Sequence, residues 1–228
     1  MKRLMIVITV FVGIMSLQGC LCSTGKCKGD TKTCIQMKES KKEGSAGKIR
    51  CCPDVKLEYL VPIAVGITAG CEKCTEMFVK QAMENGCSEK SVEEVIFIVD
   101  GTHKLECFRE AVGQEIANRM EKPLGVGREI LRGSKKEGAE EKSPCCPSDV
   151  KLEYLVPIAV GITAGCEKCT EMFVKQAMEN GCPTKKVEEV ISIVDGIRQL
   201  ECFRKTVGEE IANRMEEPIR IGRETLKK

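Results

Sequence analysis

Residues 54–87 read DVKLEYLVPIAVGITAGCEKCTEMFVKQAMENGC, and residues 149–182 repeat this stretch without a change. The similarity continues to the end of the sequence, because 63 of the 80 positions aligned between 54–133 and 149–228 are identical. Self-similarity at a fixed offset indicates a duplicated structural unit. Any site in one copy is therefore expected to have a twin in the other.

The apolar residues of each copy follow a helical period. Residues 55–69 are apolar almost throughout, which predicts a buried helix that Pro62 kinks or splits. A second helix is predicted over residues 71–84, and the following Asn85-Gly86 pair suits a left-handed cap. The copy thus begins with two consecutive helices.

Two further helices complete the predicted unit. The third covers about 92–99, with Ser91 and Glu94 as a capping box. The fourth places apolar residues three and four apart over 105–120, and Pro123 is expected to end it. No segment alternates with a period of two, so the sequence predicts an all-α fold.

The composition argues against nucleic-acid binding. The 228 residues contain 36 Lys+Arg against 34 Asp+Glu, no Trp and 4% aromatic residues. Nucleic-acid binders need a basic field and stacking platforms, which this composition lacks. The single histidine, His103, is replaced by Arg198 in the second copy. A solvated position at a helix start is therefore favoured for His103 over a catalytic role.

The N-terminus resembles an export signal. Lys2 and Arg3 precede a short apolar run, which predicts a signal peptide over residues 1–19. The run ends in Leu-Gln-Gly-Cys, which resembles a bacterial lipobox and makes Cys20 the predicted lipidation site. The expected location is the extracytoplasmic or periplasmic face of the cell-envelope membrane, with plain secretion or a retained anchor as alternatives. An oxidising compartment permits disulfides among the 16 cysteines.

The predicted mature chain consists of two modules with charged segments before and between them. Residues 20–50 are rich in Lys, Gly and Ser and are predicted to form a basic tether that contains cysteines. The first module covers 51–133, although the duplicated unit begins near residue 40. A charged linker over 134–144 separates it from the second module at 145–228. The two modules are expected to pack together as an internal pseudo-dimer.

Each copy has a Cys-x-x-Cys at a predicted helix start, Cys71 and Cys74 in the first and Cys166 and Cys169 in the second. Residues i and i+3 share a helix face, so the two thiols can approach closely enough for a disulfide. The N-terminus of a helix favours a thiolate over a thiol, and the thiolate is the nucleophile in disulfide exchange. A lysine inside each motif adds a positive charge, Lys73 and Lys168. The pattern predicts a redox-active dithiol.

Two other interpretations of the motif stay open. The pair can be a structural disulfide, or it can bind a soft metal together with Cys51 and Cys52. Haem attachment is excluded because Thr75 and Thr170, not histidines, follow the second cysteine. No cofactor and no resident metal are expected.

The string AVGITAGCEKCTEMFVKQAMENGCSEKSVEEVI, residues 64–96, resembles the carboxymuconolactone decarboxylase and alkyl hydroperoxidase D (AhpD-like) family. The resemblance covers about 54–120 and again 149–215. It implies two all-α AhpD-like modules that oligomerise through these helices. It also implies a thiol or disulfide partner protein, or a small dithiol, as the reaction partner.

The resemblance also implies roles for the four cysteines. In peroxidase-type members the second cysteine attacks and the first resolves, which here gives attack by Cys74 and Cys169. The family motif further has a Glu before the pair and a His after it as a proton relay. Phe78 and Phe173 occupy the His position. The relay Glu is displaced by one residue, which leaves these side chains as candidate support: Glu58, Tyr59, Glu153 and Tyr154.

The remaining cysteines of each copy follow the second predicted helix and lie in the fourth, Cys87 with Cys107 and Cys182 with Cys202. They are expected to form one disulfide per copy or to serve as small buried apolar residues. The overall prediction is an exported thiol-disulfide redox protein with weak or absent peroxidase activity. The alternatives are a non-catalytic scaffold lipoprotein with structural cysteines and a thiolate-based metal binder.

Overall fold

A computed structural model describes residues 56–134 and 151–227. These residues form helices and no strands, so the predicted all-α class is confirmed. The helices of the first copy are α1 Leu57–Thr68, α2 Glu72–Glu84, α3 Glu89–Lys104, α4 Glu106–Val112, α5 Gln114–Arg119 and α6 Glu121–Ser134. The second copy repeats them as α7 Leu152–Thr163, α8 Glu167–Glu179, α9 Thr184–Gln199, α10 Glu201–Val207, α11 Glu209–Arg214 and α12 Glu216–Thr225.

After its first turn, helix α1 has no exposed residue, because other helices surround it. It packs on α2 and α3 of its own copy and on α7 and α9 of the other. A helix without a polar face is stable in water only when it is enclosed in this way. Pro62 is accommodated inside α1, so the predicted split of this helix is wrong. Packing on several neighbours holds the helix together although the proline removes one backbone hydrogen bond.

Helices α1 and α2 form a close antiparallel hairpin. Gly70 makes the turn with a φ of 75°, and a Cβ added to Gly66 would lie 3.0 Å from the backbone nitrogen of Thr75. The two helices can approach this closely only because Gly66 has no side chain. The predicted left-handed cap after α2 is confirmed, since Gly86 has a φ of 80°.

Helix α3 begins earlier than the sequence predicted. Its N-cap is Ser88, whose side-chain oxygen accepts the backbone N–H of Ser91 at 3.0 Å. The predicted capping box of Ser91 and Glu94 is therefore wrong, because both residues lie inside the helix. A serine three residues upstream supplies the same hydrogen bond and adds a turn.

The predicted fourth helix is interrupted, and a further helix, α6, begins before Pro123 and continues past it. Gly113 has a φ of 83° and separates α4 from α5. Pro123 lies in the first turn of α6 and does not end a helix. Backbone N–H groups in the first turn have no intrahelical acceptor, so a proline there costs no hydrogen bond.

The two modules pack through equivalent helices. The contacts of α1 with α9 have their twin in the contacts of α7 with α3, and α1 also contacts α7 directly. The described residues of both copies belong to one compact unit with a shared apolar core. The predicted internal pseudo-dimer of two tandem helical modules is confirmed.

Several sequence predictions fall outside the described residues. They concern the signal peptide, Cys20, the basic tether, Cys51 with Cys52, and most of the linker. Among the residues that are described, no helix is long and apolar enough to cross a membrane.

Candidate active site

Both Cys-x-x-Cys pairs form disulfides. The Cα atoms of Cys71 and Cys74 lie 5.2 Å apart, and those of Cys166 and Cys169 are separated by the same distance. This separation is typical of bonded cysteines. The prediction that thiols three residues apart can bond at this helix start is confirmed in both modules.

The first cysteine of each pair caps the helix that follows. The backbone N–H of Cys74 donates to Cys71 Sγ at 3.0 Å, and Cys169 donates to Cys166 Sγ at 3.1 Å. The Thr75 hydroxyl donates to the Cys71 carbonyl at 2.9 Å and fixes the same turn. A sulfur at an N-cap accepts one of the N–H groups that have no partner within the helix. A thiolate formed at this position would keep that donor.

All four disulfide cysteines are largely enclosed. Cys71 and Cys74 are 8% and 6% exposed, and Cys166 and Cys169 are 9% and 4% exposed. All four cysteines are therefore buried residues.

The candidate supporting residues lie away from the disulfide. Glu58 and Tyr59 lie in the first turn of α1. Lys56, directly before this helix, donates from its ammonium to the carbonyl of Asn85 at 2.5 Å, so the start of α1 lies beside the C-terminal end of α2. The disulfide follows the opposite end of α1, about 15 Å further along its axis at 1.5 Å per residue. The same arrangement places Glu153 and Tyr154 at the far end of the second hairpin. The structure does not bring these four residues to the dithiol.

These residues surround the cysteine that follows α2 or α8. Burial raises the pKa of the Cys87 thiol, Lys56 opposes this shift and Glu58 adds to it. Cys182 has a raised pKa for the same reasons, with Lys151 and Glu153 as the charged neighbours. Neither thiol is activated for nucleophilic attack.

The predicted second disulfide in each copy is wrong. Cys87, Cys107, Cys182 and Cys202 are all free thiols. Cys87 precedes α3 and Cys107 follows it, and the 16 residues of that helix separate its ends by about 24 Å. The alternative expectation, a small buried residue, holds for Cys182 but not for the exposed Cys202.

His103 is also placed differently from the prediction. It lies in the last turn of α3 and is only 5% exposed, so it is neither solvated nor at a helix start. Both of its ring nitrogens are buried without a hydrogen-bond partner. The difference arises because α3 continues to Lys104, several residues beyond its predicted end.

The lysines of the motifs lie on the first turns of α2 and α8. Lys73 and Lys168 are exposed, immediately before the second cysteine of each pair. Within 56–134 and 151–227, no group of three or more His, Cys, Asp or Glu side chains is arranged to hold a metal ion. Cys51 and Cys52, which the metal-binding interpretation requires, lie outside those ranges.

Sequence reasoning did not identify two arginines beside the disulfides. The side chain of Arg119 lies over Gly70, and that of Arg214 lies over Gly165. Each contacts the glycine directly before the first cysteine of its module. The only sequence signal was the repeated Asn-Arg-Met at 118–120 and 213–215, which has no recognisable spacing to the motif.

Comparison with known families agrees with this geometry. Residues 54–113 and 148–200 each match the family model of the Carboxymuconolactone decarboxylase family. The chain belongs to the carboxymuconolactone decarboxylase family. The two matched segments correspond to the two helical modules, so this protein carries the family domain twice. No curated protein and no solved structure matches the chain.

This carboxymuconolactone decarboxylase family protein has phenylalanine where the resemblance implied a relay histidine. Phe78 and Phe173 are 7% and 5% exposed, and each packs against a glycine of the preceding helix, Gly66 or Gly161. A buried phenyl ring neither donates nor accepts a proton. The residues near the disulfide therefore supply no imidazole for acid-base chemistry at this position.

Proposed function

We propose that the protein is a thiol-disulfide oxidoreductase in which each Cys-x-x-Cys alternates between a disulfide and a dithiol. The observation that carries this proposal is the position of both disulfides at a helix N-terminus, with a backbone N–H donating to the first sulfur. That donor and the helix dipole stabilise a thiolate and so favour the reduced form. Membership of the carboxymuconolactone decarboxylase family supports a redox-related function.

The reaction is a two-electron exchange. One protein thiolate attacks a sulfur of a partner disulfide, forms a mixed disulfide and releases the first partner thiolate. The second protein thiol loses its proton, attacks the protein sulfur of the mixed disulfide and releases the second partner thiolate. The protein ends as the disulfide, and the partner ends as two thiols after protonation. The partner is a disulfide-bearing protein or a small molecule, and a small dithiol restores the reduced protein.

We assign the attacking thiolate to Cys71 and Cys166. Each accepts the backbone N–H of its partner cysteine at the helix N-terminus, which stabilises a thiolate on the first sulfur. This assignment reverses the order that the family resemblance implied, in which Cys74 and Cys169 attack. Replacing the resolving cysteine by serine should trap the mixed disulfide with a small partner, so Cys74→Ser should accumulate it and Cys71→Ser should not.

Peroxide turnover is expected to be weak. Phe78 and Phe173 supply no proton relay, and Glu58 with Tyr59 lies at the far end of the hairpin. General acid-base assistance is typically worth about 10² to 10⁴-fold. Disulfide exchange depends on the thiolate itself and is not affected by this loss.

The test is a redox titration of the full chain with glutathione buffers, followed by alkylation and mass spectrometry of Cys71, Cys74, Cys166 and Cys169. We expect both disulfides to be reduced and re-formed within the physiological range of potentials, while Cys87 remains a thiol throughout. Disulfides that stay oxidised over the whole range would contradict the proposal. The enclosed sulfurs would then have a structural role, as in the scaffold alternative.

We also propose that the protein acts outside the cytoplasm, anchored to the membrane by a lipid at Cys20. The support is the charged start, the short apolar run and the Leu-x-Gly-Cys ending of the sequence. Such a compartment allows disulfides to persist. Mass spectrometry of the mature N-terminus should find a diacylated Cys20. A mature protein that begins elsewhere and enters the aqueous phase of a detergent partition would contradict the anchor.

A further inference from the structure

Two arginines, one from each module, border the disulfides. A Cβ added to Gly70 would lie 3.0 Å from both Cγ and Cδ of Arg119, so the stem of the arginine lies flat on the turn that leads into Cys71. The stem of Arg214 lies even closer to Gly165, which precedes Cys166. Both glycines have a φ of 75°. In each module the arginine stem therefore packs on the turn that leads into the first cysteine.

The guanidinium of Arg119 lacks partners for its buried donors. Its Nε and Nη2 atoms are buried and have no hydrogen-bond partner. A guanidinium stays charged at all physiological pH values and has no acceptor atom, so only an oxygen from elsewhere can satisfy these donors. Buried polar groups in folded proteins are satisfied in the great majority of cases, and an exception calls for an explanation.

The two arginines also repel each other across the junction of the modules. Burial lowers the pKa of Arg119, the charge of Arg214 lowers it further, and Glu115 and Glu210 only partly oppose these effects. The carboxylate of Glu210 is 3.6 Å from the Arg214 guanidinium and is 92% exposed, so solvent screens this pair. A bound anion would offset the two positive charges and would accept hydrogen bonds from the buried donors of Arg119.

We propose that each of these arginines binds the oxyanion of a small anionic thiol or disulfide, a carboxylate or phosphate group, Arg119 beside Cys71 and Arg214 beside Cys166. Guanidinium groups fit both oxyanions through paired N–H donors. This inference rests on the proposed oxidoreductase function and adds to it the charge class of the partner. Each arginine stem lies over the glycine directly before the first cysteine of its module, so an anion held there brings its sulfur to Cys71 or Cys166.

This site assists the thiol-disulfide exchange of the proposed function, in which the partner disulfide is the oxidant. The reduced protein transfers two electrons to the anionic disulfide, which is released as two anionic thiols, and the protein gains its Cys71–Cys74 disulfide. The arginines bind the charged group and take no part in the electron transfer. They are therefore binding residues and not redox residues.

The first experiment compares three disulfides on the reduced full chain: 3,3′-dithiodipropionate, which is anionic, 2-hydroxyethyl disulfide, which is neutral, and cystamine, which is cationic. We expect the anionic disulfide to oxidise the protein about tenfold faster or more than the neutral one, because a hydrogen bond to a charged group is worth roughly one factor of ten or more. Arg119→Gln should remove most of this preference at Cys71 and Cys74, and Arg214→Gln should remove it at Cys166 and Cys169, with alkylation and mass spectrometry reporting each pair separately. Arg220→Gln, which removes a half-exposed arginine of α12, should keep it.

The second experiment measures sulfate binding to the oxidised full chain by calorimetry. Saturable binding that Arg119→Gln weakens about tenfold or more, and that Arg220→Gln leaves unchanged, supports the site even if no disulfide reacts. Exchange with all three disulfides at similar rates would overturn the site and leave the oxidoreductase function intact. Absence of exchange with every disulfide would overturn the proposed function, and absence of sulfate binding would overturn the anion site.

Discussion

The side chain at position 78 decides whether a proton relay stands beside the disulfide. A relay is needed for efficient peroxide turnover but not for thiol-disulfide exchange. Phe78 lies four residues after Cys74 on α2, so the two side chains share a helix face. A histidine at this position could exchange a proton with the second cysteine, whereas the phenyl ring only fills the space beside Gly66. The twin Phe173 makes the same contact with Gly161, so the loss of the relay is common to both modules.

Replacement of both rings, Phe78→His with Phe173→His, should raise peroxide consumption of the reduced protein by about tenfold or more, because acid-base assistance is typically worth about 10² to 10⁴-fold. The substitution also places an imidazole in the core, so the free energy of unfolding should fall by about 1 to 3 kcal/mol. Peroxide assays and urea unfolding measure the two effects. The control is Phe78→Leu with Phe173→Leu, and equal turnover in the two double variants would refute a relay at this position.

Residue types at the site were predictable, but their surroundings were not. Spacing and helix-start position were sufficient to predict the Cys71–Cys74 disulfide. His103 was misplaced because its burial depends on the true end of α3 and on the packing around it. Arg119 was missed because its contact with Gly70 joins residues that are distant in sequence and follow no local period. Local chemistry is visible in a sequence, whereas contacts between distant residues are not.

The close separation of α1 and α2 depends on Gly66. A Cβ at this position would lie 3.0 Å from the Thr75 backbone nitrogen and 3.2 Å from the Phe78 ring. The first of these is a backbone atom and cannot turn away. The turn that holds the disulfide therefore depends on close contact between the two helices, and a change in their spacing would move the helix start that carries Cys71.

Gly66→Ala and Gly101→Ala form a matched pair that tests this dependence. Both glycines lie inside helices, but a Cβ at Gly101 meets nothing within 4 Å. Gly101→Ala should raise the free energy of unfolding by about 0.5 to 1 kcal/mol through the usual preference of helices for alanine. Gly66→Ala should lower it by about 1 to 3 kcal/mol because it overpacks the hairpin. Equal effects in urea unfolding would show that the hairpin is not closely packed at Gly66.

Element types followed from hydrophobic period, and their boundaries depended on single residues. Ser88 starts α3 earlier than the predicted capping box, and Gly113 interrupts the predicted fourth helix. Pro123 lies at the start of a helix because a proline in a first turn costs no hydrogen bond. These boundaries depend on capping and on backbone conformation, which a hydrophobic period does not report.

The junction of the two modules brings acidic side chains together. Burial raises the pKa of Glu94 on α3, the charge of Glu153 on α7 raises it further, and Lys90 partly opposes both. An acid with a raised pKa in the folded state is destabilising when ionised. This cost is present above the folded pKa and disappears as the pH falls below the unfolded value of about 4.3.

Glu94→Gln should therefore stabilise the protein at pH 7. The expected gain in free energy of unfolding is less than about 1 kcal/mol, because solvent screens this partly exposed group. The gain should shrink when the pH is lowered to about 3, where the wild-type carboxyl is protonated in both states. Urea unfolding at the two pH values measures the effect, with the exposed Glu129→Gln as control. A gain that does not depend on pH would contradict the electrostatic origin.

Because of the duplication, a single module is expected to pair with a second copy of itself. Helices α1 and α7 have the same sequence, and each is buried partly by helices of the other module. A single module expressed as residues 145–228 would expose the face of α7 that contacts α1 and α3, and a unit of about 80 residues is marginally stable alone. A second copy of the module can supply nearly the same surface, so we expect the fragment to form a homodimer that reproduces the junction. Sedimentation velocity should find a dimer whose unfolding midpoint rises with concentration, since association stabilises the folded state. A monomer that unfolds cooperatively and independently of concentration would mean that the modules are self-sufficient and that their junction is not required for folding.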